Sequence, residues 1–271
     1  MLPLRDDAPA RITPWAVFTL LAMNALVLCL EQIPSVDVPT LVGTFGLVPN
    51  RFMHWTSLGG SAHDPWRYLP LFSAMFLHDG WLHFATNMLY LWTFGRALEA
   101  RLGRSGLIAT YALSGIAAAL GQLLAHPGSN AAMVGASGAI AGLLGAYLVC
   151  FPRARLTLAF PFYLVPWVLR IRAMWFLLAW FGLQVCKGTL ELLAHTNDPP
   201  VAWWAHVAGF VAGMTGALAG RAFPSDEMRR GAITPMMVTT GGGTMRASQM
   251  PAPPRPSRVP NWTDWRGSLV P

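Results

Sequence analysis

Apolar residues gather into six blocks along the chain, at residues 15–30, 81–98, 106–124, 134–151, 173–193 and 201–219. Each approaches the roughly 20 residues that a helix needs to cross a bilayer, so the pattern predicts six membrane helices. Two stretches break it. Residues 31–80 are too apolar for a simple linker and hold Trp55 and Trp66, with Trp81 just beyond; such a loop is expected to fold back into the membrane interface on its tryptophans. Residues 224–271 are rich in Pro, Gly, Ser and Thr, include PAPPRP at 251–256 and carry no apolar periodicity, which predicts disorder. The expected organisation is an N-terminal segment over 1–13, an all-α membrane domain of six helices over 14–221, and a disordered tail over 222–271.

Composition agrees with a lipid setting. Of 271 residues, 54% are hydrophobic and 11% charged, against roughly 25% charged in a soluble domain. No formal charge occurs in the 48 residues from Ser105 to Pro152, which is length enough for two spans. Arginine supplies 18 of the 19 basic residues behind the net charge of +7. The arginines sit between apolar blocks rather than along one face, so nucleic acid is excluded as a partner. Their distribution orients the chain instead, because cytoplasmic loops collect Lys and Arg. With six spans and the N-terminus inside, twelve arginines, from Arg5 to Arg230, fall on the inner side and only Arg51 and Arg67 on the other. Both termini are therefore expected in the cytoplasm, in a bacterial cytoplasmic membrane. The first block is expected to remain as a helix, since no A-x-A site follows it. Cys29, Cys150 and Cys186 lie in apolar stretches and read as small buried residues rather than a disulfide framework.

Polar side chains at membrane depth are expensive and mark candidate sites. Among them are Asn24, His83, Asn87, Tyr111, Ser137, Gln184 and His206. His83 and Asn87 stand four apart in HFATN, on one helix face. Ser137 opens the fourth block in GASGAIAG, and His206 lies early in the sixth, in AHVAGFVAG. A serine hydroxyl becomes a nucleophile when a base takes its proton, and neutral imidazole is the usual base. Ser137 and His206 are the obvious pair. Attack on a peptide bond creates an oxyanion that needs donors; His83, Asn87 and the backbone N–H of Ser137 are the candidates. Apart from Glu99 and Glu191 at span ends, no Asp or Glu lies in these blocks within reach to orient the imidazole, so a dyad is expected. Gly138 and Gly142 are four apart, as are Gly209 and Gly213, and Gly216 and Gly220; small residues at that spacing let helices approach closely. Gly135, with Gly138, permits a tight approach to the helix that Ser137 begins.

Together, GASG with Ser137, AHVAGFVAG with His206, HFATN with His83 and Asn87, and Trp66-Arg67 in the first loop resemble the rhomboid family of intramembrane serine proteases, over residues 66–220. The resemblance implies Ser137 as nucleophile, His206 as general base, and His83 and Asn87 at the oxyanion. It also implies a pocket open to the non-cytoplasmic side and substrates that are membrane proteins with a cleavable transmembrane segment. No metal or other cofactor is expected, since HExxH is missing from the sequence, and the membrane-depth aspartate pair of an aspartyl protease is missing as well. GRALEARLG at 95–103 is similar to the family's second-to-third turn, where Glu99 would pair with backbone or arginine. Trp66 and Arg67 read as structural, the arginine binding carbonyls or lipid phosphate and the tryptophan sitting at headgroup level. Four residues after the serine, where the family often has an aromatic against the histidine, stands Ala141; Trp203, Trp204 or Phe210 is expected to take its place.

Each motif also has a plainer reading. GASGAIAG alone is a helix-packing seam, His206 alone a core histidine, and His83 with Asn87 a tie between helices. An inactive relative that binds transmembrane clients, and a small transporter, stand as rival functions.

Overall fold

The computed structural model describes residues 2–10, 12–61, 63–162, 165–195, 201–222, 238–240 and 243–245. The chain is mostly helical. Strand β1 (Leu2–Asp6) precedes α1 (Trp15–Glu31); α2 (Val38–Phe45), α3 (Pro49–Met53), a 3-10 turn (Pro65–Tyr68) and α4 (Pro70–Ser73) form the first loop. Then come α5 (Gly80–Ala125), α6 (Ser137–Cys150), β2 (Arg155–Phe162), β3 (Val165–Arg172), α7 (Ala173–Leu193) and α8 (Trp203–Ala222). Helices α5 and α7 are each long and apolar enough to cross a membrane, while α1 and α6 are apolar but shorter.

The second and third apolar blocks share α5, which breaks at one residue, Gly103, with φ 76° and ψ 172°. Only glycine adopts such a conformation without strain. Of the GRALEARLG segment at 95–103, residues 95–102 are helical and the reversal falls on Gly103.

Glu99 explains why α1 starts where it does. Pro14 at its N-cap offers no side-chain cap. The carboxylate of Glu99, fully buried, instead accepts from Ala16 N and Val17 N, both at 2.9 Å, satisfying two helix-start donors and the positive end of the dipole. Replacing Glu99 with Gln puts an NH2 against one of these donors. The expected loss is about 1.5–3 kcal/mol, read as a lowered unfolding midpoint in detergent.

Helices α5, α6 and α8 meet through small residues. A Cβ on Gly138 or Gly142 would run into Ala118 or Ser114 of α5, and one on Gly209 or Gly213 into the backbone of Gly138 or Gly142. Helix α6 is buried on all sides from Gly138 to Tyr147. Gly216 and Gly220 differ from this pattern: nothing lies within 4 Å of a Cβ at either, although Ala217 between them is buried in the core. Helix α7 is peripheral, its buried face limited to Ala173, Phe176, Leu177, Gln184 and Gly188.

The basic loop between the fourth and fifth blocks is a hairpin, which the helical pattern does not predict. Strands β1, β2 and β3 form an antiparallel sheet in that order. Leu156 and Leu158 enter the core from it, while Arg155 pairs in register with Arg172 and Thr157 with Arg170. The sheet is tied to the helices by Thr93, whose hydroxyl donates to Pro3 O at 2.9 Å, and by Tyr147, whose hydroxyl donates to Asp6 at 2.6 Å. Burial raises the Asp6 carboxyl above its ordinary range, opposed by the Tyr147 hydrogen bond and by Arg96 at 3.7 Å.

The first loop is ordered by its own contacts. Arg67 stacks over Phe52 at 5.0 Å and donates to Phe52 O at 3.0 Å, whereas Trp66 is 68% exposed. Leu47 and Met133 exchange backbone hydrogen bonds, and Gly135 N donates to Ala74 O at 2.8 Å. The loop therefore grips the segment that leads into α6. A second unit, residues 229–271, contains a short hairpin of β4 (Val238–Thr240) and β5 (Gly243–Met245); the rest of the tail, for which disorder is expected, lies outside the described residues.

Candidate functional site

The chain enters α6 through Gly135, at φ 114°, and Ser137 is the first helical residue. A β-carbon at Gly135 would sit 2.7 Å from the His83 ring and 3.6 Å from Asn87 Nδ2. Glycine is thus required twice, by the backbone conformation and by the side chains packed on it. The N-terminus of α6 leaves its first N–H groups free of intrahelical partners, beside the serine hydroxyl.

His206 lies in the first turn of α8. The Gly209 and Gly213 contacts bring that turn against the start of α6, and His206 Nε2 stands 2.8 Å from Ser137 Oγ. The other ring nitrogen, Nδ1, is 2.9 Å from Gln184 Oε1 on α7. Trp180 lies 5.9 Å from the imidazole at 41°, and Trp203 lies 6.2 Å away edge-on. Of the three aromatics expected to replace the one missing at Ala141, Trp203 contacts the ring. Phe210 packs instead on Trp180 and Phe181, and Trp204 lies beside Gly188 of α7.

A cavity of about 430 Å³ opens over these groups, lined among others by His83, Asn87, Gly135, Ser137, Ala202 and His206. Asn87 Nδ2 is buried without a hydrogen-bond partner among the described residues, a costly state for an amide. His83 Nδ1 accepts from Asp79 N at 3.4 Å, which leaves the ring proton on Nε2, the nitrogen packed near Gly135. On the adjoining loop, burial and the nearby His83 lower His78 to about 4, so its imidazole is neutral at physiological pH. Trp66 and Arg67 belong to the loop brace and do not line the cavity.

Two participants lie beyond what the motifs indicate. Gln184 is visible in the sequence only as a polar residue in an apolar block, with nothing to pair it with His206. Trp180 is one aromatic among many, and no spacing signal marks it.

The model of the Rhomboid domain matches residues 63–222. RHOMBOID-like protein 5 of Arabidopsis thaliana is 41% identical over 146 residues, which cover 53% of this chain and 43% of that protein. Rhomboid protein 1 of Saccharomyces cerevisiae, mitochondrial, is 33% identical over 134 residues, 47% of this chain and 38% of its own length. A putative rhomboid protease of Bacillus subtilis is 38% identical over 92 residues, 34% of this chain and 44% of the relative. The matched part of the chain spans less than half the length of each of these relatives. With the domain model covering more than half of the sequence, the chain belongs to the rhomboid family. It is accordingly an integral membrane protein, in a family that includes serine proteases.

Proposed function

We propose that this protein is an intramembrane serine endopeptidase that cuts peptide bonds in or near transmembrane segments of membrane proteins. The reading rests on one observation above the others, the 2.8 Å hydrogen bond between Ser137 Oγ and His206 Nε2, two residues that line a cavity. In the mechanism, Nε2 takes the hydroxyl proton as Oγ attacks the scissile carbonyl carbon. The negative charge moves to the carbonyl oxygen, where Asn87 Nδ2–H, His83 Nε2–H and the free N–H groups at the start of α6 can donate to it. The unpartnered amide of Asn87 has in that oxyanion a natural acceptor. Collapse breaks the C–N bond while His206 returns the proton to the leaving amine. Water, activated by the same imidazole, then hydrolyses the acyl-serine and restores the hydroxyl.

Six spans, formed by α1, the two arms of α5, α6, α7 and α8, with both termini cytoplasmic, follow from the arginine distribution. They turn the Ser137 end of α6 to the non-cytoplasmic side. Substrate segments that unwind readily are favoured, because a helix hides its peptide bonds from attack.

The test is incubation of the purified protein in detergent with a single-span substrate, followed by gel and mass spectrometry. Endoproteolysis blocked by a serine-reactive phosphonate is expected. Client binding without cleavage would make the protein an inactive binder. Asn87→Ala is expected to lower kcat by about 10- to 1,000-fold, since one oxyanion donor of several is lost; an unchanged kcat would remove Asn87 from the oxyanion site.

A further inference from the structure

The geometry points to Gln184 as a positioning residue, which holds His206 in the one neutral tautomer that can accept a proton from Ser137. The inference rests on the serine-protease reading above and adds to it a third member, supplied by α7.

Neutral imidazole carries its proton on one nitrogen, and the partner of the other decides which. An amide oxygen can only accept. With Gln184 Oε1 at 2.9 Å from Nδ1, the proton belongs on Nδ1, and the lone pair on Nε2 faces Ser137 Oγ at 2.8 Å. The opposite tautomer would aim a lone pair at Oε1 and an N–H at the serine, leaving Oγ without a base. The amide does here what an orienting carboxylate does in a triad, without placing a second charge at membrane depth. Among the described residues, no carboxylate is hydrogen-bonded to His206.

Packing supports a dedicated role. Leu177, Gln184 and Gly188 share the narrow buried stripe of α7, at spacings of one helix face. Gln184 is 4% exposed, and an apolar residue would fill that place at lower cost than an amide. Gly188, one turn on, lets α7 close on α8: a Cβ there would lie 3.0 Å from Trp204 Nε1 and 3.3 Å from Trp203 Cβ. That contact fixes the register in which Gln184 meets His206. Trp180, one turn before Gln184, packs on the imidazole, so two residues of α7 bear on the ring, with Trp203 of α8 at its edge.

The experiment compares wild type, Gln184→Met and Gln184→Glu in detergent. Methionine keeps the length of the side chain but removes the acceptor. The expected result is a kcat reduced about 10- to 100-fold with KM unchanged. Glutamate restores the acceptor and adds charge that favours imidazolium, so it is expected to recover turnover with the acid limb of the kcat/KM profile moved to higher pH. Wild-type kcat and an unshifted profile in both variants would overturn the inference. A readout independent of turnover and of variant folding is 15N NMR of ring-labelled wild type, with His206 assigned against His206→Ala. The Nδ1–H tautomer is expected, and an Nε2–H tautomer would overturn the assignment. Wild type with that Nδ1–H tautomer but no proteolysis would sink the protease reading while leaving the role of Gln184 intact.

Discussion

Ser137→Ala is expected to bring hydrolysis of a transmembrane substrate down to background, a loss on the order of 10⁵-fold or more, while the protein stays folded. Alanine has no atom that can form the acyl intermediate, and the remaining groups can only polarise a carbonyl for attack by water. The fold should hardly notice. Among the described residues, Ser137 makes one side-chain hydrogen bond, to His206, at a cavity where water can replace the hydroxyl, so the cost in stability is about 1 kcal/mol. His206→Ala should fall to the same floor. Because nucleophile and base act as a unit, the double variant should be no slower than either single one. A fluorogenic transmembrane substrate, with unfolding midpoints measured alongside, provides the check. Turnover by Ser137→Ala within 100-fold of wild type would assign the nucleophile elsewhere.

Gly213→Leu is expected to fail differently, by preventing the fold from closing. A β-carbon on Gly213 would collide with Gly142, coming within 2.7 Å of its Cα and still nearer to its carbonyl. No rotamer relieves a clash with main chain, so α8 must move away from α6. Overpacking of side chains alone costs about 1–3 kcal/mol; displacement of backbone against backbone should reach the upper end or exceed it. Whatever protein remains folded should be inactive as well, since a shift of about 1 Å between His206 and Ser137 is worth about 100-fold in rate. Gly216→Leu is the control. It lies almost one turn further along the same helix, where nothing stands within 4 Å of the new Cβ, and wild-type yield and activity are expected. Equal behaviour of the two variants, read from detergent-solubilised yield and unfolding midpoint, would show that α6 and α8 do not meet through these glycines.

The contrast between Gly213 and Gly216 also shows where sequence reading stops. Period-four glycines are visible in the chain, but which of them meets another helix depends on the crossing angle, and no local pattern carries that. The apolar blocks are legible because each is a continuous apolar run; helices α1, α5, α6, α7 and α8 all fall on them, with α5 joining two. The segment at 95–103 is legible only by resemblance: its pairing of Glu99 with backbone is found, at the start of α1, but no local pattern shows that the reversal is confined to Gly103. The sheet had a signal of its own. Arg155, Leu156, Thr157 and Leu158 alternate polar and apolar, the period of a half-buried strand, but the run is short and lies in a basic stretch between two apolar blocks. His206 and Ser137 are legible through their motifs. Gln184 is not, because a single amide in an apolar block becomes informative only when the face it occupies, and the ring it meets, are known.

Helix α6 has 14 residues, a rise of about 21 Å, against a hydrocarbon layer of about 30 Å. If its far end sits at the inner boundary of that layer, roughly two turns are missing above Ser137. The hydroxyl would then stand below the lipid surface among longer helices, beside the cavity that Ser137 and His206 line. On the proposed function, truncating one central column, rather than boring a channel through a complete bundle, would give the Ser137–His206 pair both depth in lipid and a supply of solvent.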